Sequence, residues 1–183
     1  HTPEALKTCL LNLREQFKYK KISLLFGCGG NRDQNKRSKM GRIASKYSDK
    51  IYLTDDNPRY EDPKKIRKDI KKGINNKKII EISDRSKAIL KAIKNLNSGE
   101  ILLVAGKGHE KTQDLGDKKT YFSDKKVILN SIKRKNLNLS NNQKFNILRE
   151  LSPNKRLPTK LPLNLARINS QEVKENDFFF AIK

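Results

Sequence analysis

Ile22-Ser23-Leu24-Leu25-Phe26-Gly27-Cys28-Gly29-Gly30 decides the fold: a short apolar run that stops at a glycine-rich loop. A run this short, ending in Gly, reads as a buried strand over 21–27. Lys36 to Tyr47 follows, with Met40, Ile43, Ala44 and Tyr47 on one helical face. Upstream, residues 3–18 place Leu6, Leu10, Leu13 and Phe17 at helical spacing, with Pro3 suited to a first turn. Downstream the same alternation recurs. Ile51-Tyr52-Leu53-Thr54 is a second strand, and Asp62-Pro63 opens a third helix through Ile66, Ile70 and Ile74, with Asp as N-cap and Pro at N1. Residues 78–82 form a strand, and Asp84 caps a helix whose apolar face is Ala88, Ile89, Ala92, Ile93 and Leu96. Residues 100–105 are a fourth strand, a loop over 106–117 leads to a short strand near Tyr121, and Ser123-Asp124 caps a last helix to about Lys133. This order predicts an α/β, Rossmann-like fold: a mostly parallel, doubly wound sheet flanked by helices.

The chain has 183 residues, room for one ordinary domain and an appendage. Apolar residues make up 34%, below the usual 45–50% of a definition that also counts Gly, so the core is modest. The formal charge of +22 attracts phosphates and raises the possibility of nucleic-acid binding. Lys is nevertheless scattered through every segment, and aromatic residues are not interleaved with it as a stacking platform requires. The charge therefore reads first as a solvated surface, one that still helps recruit a phosphate-bearing substrate. Cys9 and Cys28 lack metal-type spacing, and the two histidines, His1 and His109, form no cluster with them, so both thiols read as small buried apolar groups and no metal site is expected. With no run of about 18 apolar residues and no signal segment, the chain reads as soluble and cytoplasmic, without a membrane partner. It begins without Met and in mid-motif, which reads as a fragment.

Beyond Arg134 the composition changes. Residues 135–160 are rich in Asn, Lys, Ser and Pro, with one weak helical patch over Phe145–Leu151, and read as a linker. Phe178-Phe179-Phe180-Ala181-Ile182 then reads as a strand entering a further domain. The division expected is 1–133 for the first domain, 134–163 for the linker and 164–183 for the start of a second.

In a doubly wound sheet, ligands gather outside the carboxyl ends of the strands. Three polar loops fall there, over 27–37, 54–60 and 105–114, and are expected to line one crevice. In the first, glycines free the backbone to approach an anion, though the spacing matches neither a dinucleotide nor a phosphate-loop fingerprint. Arg32 offers a guanidinium fork for a carboxylate, or a salt bridge to Asp33 or Asp56. The second loop, Asp56-Asn57-Pro58-Arg59, is either a plain Asn-Pro turn or a set that holds a zwitterion. In the latter case Asp56 and Asn57 face an ammonium and Arg59 a carboxylate. The third, Gly106-Lys107-Gly108-His109-Glu110, combines backbone access with the Glu110 carboxylate. His109 as a general base needs a hydrogen-bonded partner that sequence does not show.

Taken together these segments resemble the Mur ligase family. His1-Thr2-Pro3-Glu4-Ala5-Leu6 is similar to the end of its Tyr-Ala-His-x-Pro-x-Ala-Leu segment. Phe26 to Asp33 with Lys36-Arg37 and Met40-Gly41 is similar to FGCGGDRDxxKRxxMG, and Ala105 to Glu110 with Gln113 to AGKGHExxQ. Asp56-Asn57-Pro58-Arg59 resembles the signature of members that use meso-diaminopimelate. Two departures stand out: Asn31 where the family has Asp, and Thr112 where it often has an aromatic residue.

The resemblance implies an ATP-dependent amide-bond ligase of peptidoglycan biosynthesis that adds meso-diaminopimelate to UDP-MurNAc-L-Ala-D-Glu, this chain supplying the amino-acid-binding domain. ATP and Mg2+ would be held mainly by a central domain outside this sequence, with no catalytic residue in it, so that the fragment by itself is expected to be inactive. Carried over by motif, Arg32, Asp56, Asn57, Pro58, Arg59, Gly106 and Glu110 would bind diaminopimelate, and His1 would lie on the nucleotide side of the domain junction. Arg59 would distinguish the distal carboxylate from the bare ammonium of lysine. Residues 168–183 resemble the opening of a Mur ligase N-terminal domain, IDSRxVxPGDxFxAxxG, with Asn169 and Gln171 in place of Asp and Arg. That likeness implies a fusion to the next ligase of the pathway, which adds D-Ala-D-Ala. The alternatives are a ligase for another amino acid, a basic nucleic-acid-binding module, and a non-catalytic binding domain.

Overall fold

The structure, a computed structural model, describes residues 2–75, 79–97, 99–108 and 110–135, with the backbone alone of 136–137, 166–167 and 178–180. Helix α1 (Pro3–Gln16) is followed by β1 (Ile22–Phe26), α2 (Asn35–Tyr47), β2 (Lys50–Leu53), α3 (Pro63–Lys71), β3 (Ile79–Glu81), α4 (Arg85–Lys94) and β4 (Ile101–Val104). A hairpin of β5 (Thr112–Asp114) and β6 (Lys119–Tyr121) precedes α5 (Asp124–Leu137), and β7 (Ala166–Arg167) and β8 (Phe178–Phe180) complete the described elements. The expected helix starts hold where a side chain caps them. Thr2 accepts from the Ala5 N–H at 3.2 Å, Asp62 from Lys64 at 2.9 Å, and Asp84 from Lys87 at 3.0 Å.

The main sheet runs β3-β2-β1-β4-β8-β7 with every pairing parallel. Strand periodicity explains why it is covered on both sides. Ile22, Leu24 and Phe26 of β1 join Ile51, Leu53, Ile101 and Leu103 in a core against α1, α2 and α3. Leu25, Tyr52, Leu102 and Val104 point the other way and pack on Ala88, Ile89, Ala92 and Ile93 of α4 and Ile128 and Ile132 of α5. The expected doubly wound arrangement is therefore present, three helices on one face and two on the other. Both thiols sit in or against the first core, where burial pushes each up to about 12, so they are inert apolar groups.

Two elements differ from expectation. The stretch read as a loop over 106–117 contains β5, which pairs antiparallel with β6, because Thr112-Gln113-Asp114 is polar and carries no apolar alternation to betray it. Helix α5 runs four residues beyond Lys133. Phe178–Phe180 is a strand, as expected, but it lies parallel to β4 in the main sheet, where it also pairs with β7, a strand the sequence did not announce. The helical patch at 145–151 and the greater part of the linker fall outside the described residues.

Candidate functional site

The loops after β1, β2 and β4 do meet at the carboxyl end of the sheet, and ion pairs hold them there. Arg37, the third residue of α2, is wholly buried and grips both Glu61 oxygens at 2.9 Å. It also reaches Asp69 of α3 at 3.3 Å and the Gly29 carbonyl at 3.4 Å. Glu61 in turn accepts from the Asn31 N–H, while Asn31 Oδ1 accepts from the Tyr60 N–H at 3.1 Å. Asn31, with φ at +50°, occupies the left-handed region that its short amide tolerates. Gly30 completes the contact between the first two loops. Its N–H donates to the Asn57 carbonyl at 2.8 Å, and any Cβ there would run into the Pro58 carbonyl.

Beneath this rim lies a dry, charged floor. Asp56 is 1% exposed and Lys107 2%. Lys107 Nζ donates to Asn57 Oδ1 at 2.6 Å and to the Thr112 carbonyl at 2.8 Å, and it stands 3.4 Å from Glu110 Oε2 and 3.8 Å from Asp56 Oδ1. Asn57 is used at both ends of its amide, since Nδ2 donates to Glu110 Oε2 at 2.9 Å and Oδ1 also accepts from the Asp114 N–H at 3.0 Å. Below them Arg85 forms a two-pronged pair with Asp124 at 2.8 and 2.7 Å and donates to the Ala105 carbonyl at 3.0 Å. Gly106 roofs this cluster: with φ at +114°, a Cβ would stand 2.5 Å from Asp56 Oδ2.

Burial and charge act differently in the two layers. In Asp56, burial outweighs the attraction of Arg85 and Lys107 and raises the carboxyl above its ordinary value. In Glu61, burial also pushes upward, but the hydrogen bonds from Arg37 and Asn31 and the charges of Arg37 and Lys65 prevail, holding it below the usual range.

The expected site residues divide accordingly. Arg32 is exposed and makes no ion pair among the described residues, so the salt bridges to Asp33 or Asp56 are not formed and its fork is available. Arg59 stands at the rim, Nη1 donating to the Gly30 carbonyl at 2.7 Å and Nε 3.5 Å from Asp114 Oδ2. Glu110 is partly open, its side chain 36% exposed. Asp56, Asn57 and Pro58 are buried. His1 and His109 lie outside the described residues. Sequence reasoning missed Lys107, Arg37, Arg85 and Asp114. Lys107 was hidden between glycines read only for backbone access, Arg85 looked like an ordinary first helical residue, and Asp114 lay in a hairpin taken for loop. Arg37 stood in a quoted motif without a role of its own. Thr112, one of the two departures, contributes its carbonyl to Lys107 and so needs no aromatic ring for that task.

Residues 1–108 match the family model described as Mur ligase, glutamate ligase domain. A Rickettsia rickettsii protein named UDP-N-acetylmuramoyl-L-alanyl-D-glutamate--2,6-diaminopimelate ligase is 52% identical over 134 residues, which are 73% of this chain and 28% of that protein. The Helicobacter pylori protein of the same name is 55% identical over 115 residues, 62% of this chain and 26% of its own length. A solved structure of a ligase of that name superimposes with a TM-score of 0.70 at 36% identity, covering 74% of this chain and 28% of the other. The chain thus spans little more than a quarter of the length of these relatives.

Proposed function

Because this chain belongs to the Mur ligase family, we propose that it supplies the amino-acid-binding domain of an ATP-dependent, cytoplasmic ligase that joins meso-diaminopimelate to UDP-MurNAc-L-Ala-D-Glu in peptidoglycan biosynthesis. The observation that carries the reading is that the loops after β1, β2 and β4 meet, with Arg59 fixed on the Gly30 carbonyl at 2.7 Å and Glu110 on Asn57 Nδ2 at 2.9 Å, and with Arg32 exposed on the first of these loops. The floor and Glu110 together hold three carboxylates, Asp56, Glu110 and Asp124, against two cations, Arg85 and Lys107. The formal excess is one negative charge, and Glu110 is its solvent-facing member. That arrangement suits a ligand with an ammonium near Glu110 and carboxylates toward the two arginines. Gly106 lies on the same loop as Glu110, and Asn57 Nδ2 holds the Glu110 carboxylate at 2.9 Å.

Among the described residues no group of three or more His, Cys, Asp or Glu comes together for a cation. ATP and Mg2+ belong in this proposal to the central domain, with His1 at the junction, and the residues seen here bind and orient the amino acid so that its amine meets an activated carboxyl group out of water. Among the described residues no helix is long and apolar enough to cross a membrane. We assign 1–133 to this binding domain and 134–163 to a linker. Residues 164–183 we assign to the opening of a second Mur ligase domain, the D-Ala-D-Ala-adding one, on the likeness of 168–183 to that domain's first motif, while the described strands within it, β7 and β8, pair onto the sheet of the first domain.

The test is Arg59→Ala in the full-length ligase. The KM for meso-diaminopimelate should rise on the order of 10²-fold, the scale of a lost charge-assisted pair, while that for ATP stays constant. An unchanged KM for meso-diaminopimelate would sink the assignment and favour another amino acid as substrate.

A further inference from the structure

We propose that Asp114 is a specificity-positioning residue: it holds Arg59 in the one orientation that presents the guanidinium to a second carboxylate on the incoming amino acid. This rests on the reading above that Arg59 faces that carboxylate. Asp114 closes the hairpin strand β5 and touches the Asp56–Arg59 loop at several points. Its carbonyl accepts from the Arg59 N–H at 3.1 Å, and its own N–H donates to Asn57 Oδ1 at 3.0 Å. Its carboxylate stands 3.5 Å from Arg59 Nε through Oδ2, while Oδ1 accepts from the Gly116 N–H at 3.1 Å.

Arg59 needs such a holder for two reasons. Its φ of +51° lies in the left-handed region, which a long side chain rarely adopts unaided. The Asp114 carbonyl satisfies its N–H in that conformation, and Gly116 leaves room for its carbonyl, since a Cβ at 116 would stand 3.0 Å from Arg59 O. Second, an arginine side chain left mobile loses much of its binding strength to immobilisation when an anion arrives. Here Asp114 at Nε and the Gly30 carbonyl at Nη1 fix the plane of the guanidinium from two sides. A guanidinium carries five N–H groups in a rigid fork, so two held positions set the direction of the rest and leave Nη2 to project. Both side chains are mostly covered, Arg59 25% and Asp114 20% exposed, which shields the pair from solvent without sealing it.

The experiment uses the full-length ligase with Asp114→Ala and Asp114→Asn, assayed with meso-diaminopimelate and with lysine. Asp114→Ala should raise the KM for meso-diaminopimelate about tenfold, the scale of immobilising one long side chain, with kcat and the KM for ATP within about twofold of the parent. Preference for meso-diaminopimelate over lysine should fall by the same factor. Asp114→Asn keeps an acceptor for the Gly116 N–H and should give a smaller rise, about threefold, which also serves if the alanine variant folds poorly. An unchanged KM, a lowered KM (Asp114 then competing with the ligand for Arg59), or parallel losses in kcat and ATP affinity would each overturn the proposal. Arg59→Ala run alongside separates the two failures: if it too leaves the KM for meso-diaminopimelate unmoved, the underlying reading falls, and if it alone raises that KM, only the role of Asp114 falls.

Discussion

Arg37 and Arg85 are both buried guanidiniums that grip both oxygens of a carboxylate, Arg37 at the rim of the crevice through Nη2 alone and Arg85 in its floor through Nε and Nη2. Their surroundings differ. The partners of Arg37, Glu61 and Asp69, keep 17% and 16% of their side chains in solvent, whereas Asp124, the partner of Arg85, keeps 1%. Water can therefore replace part of what a rim pair loses, and cannot reach the floor. The same contrast sets the titrations. In the rim Glu61 is held below its ordinary value because Arg37 and its neighbours outweigh burial, and in the floor Asp56 is raised because burial outweighs its cations.

The comparison is broken or sharpened by three substitutions. Asp124→Ala strands the Arg85 charge in the floor and should cost about 3–5 kcal/mol of stability, read by urea titration. A loss no larger than that of a rim variant would dissolve the distinction. Glu61→Gln removes the charge that faces Arg37 and should cost about 2 kcal/mol at neutral pH. Here the sign is fixed by the lowered Glu61 value. The folded state holds that proton less readily than the unfolded chain, so the stabilisation is complete above the ordinary glutamate range and is lost as pH falls through the lowered folded value. Parent and Glu61→Gln stabilities should consequently converge on acidification, and a gap that widens instead would contradict the assignment of Arg37 as the dominant partner. Smallest is Lys72→Ala, which removes an i,i+3 pair to Asp69 whose lysine is 64% exposed. It should change stability by less than about 0.5 kcal/mol, and by less still in high salt.

The two layers also differ in how far they can be read from sequence. The strands and helices were legible because apolar spacing is local: Ile22, Leu24 and Phe26 alternate around Leu25, and Asp62-Pro63 and Asp84 mark helix starts by their own chemistry. Arg32, Asp56–Arg59 and Gly106–Glu110 were legible as motifs at strand ends. The burial of Asp56 and Asn57 was not legible there, because exposure depends on what packs above a residue and not on its neighbours in the chain.

By itself, then, the sequence determined the order of elements from α1 to β4, the parallel sheet they form, the three loops that meet, and the family they resemble. Only the tertiary structure decided which charged groups carry the frame. Lys107 reaches across 50 residues to Asn57, Arg85 across 39 to Asp124, and Arg59 across 29 to Gly30. Each of these contacts forms between loops or helix starts that packing of the two cores brings together, and a charge far away in the chain leaves no periodicity by which to find it.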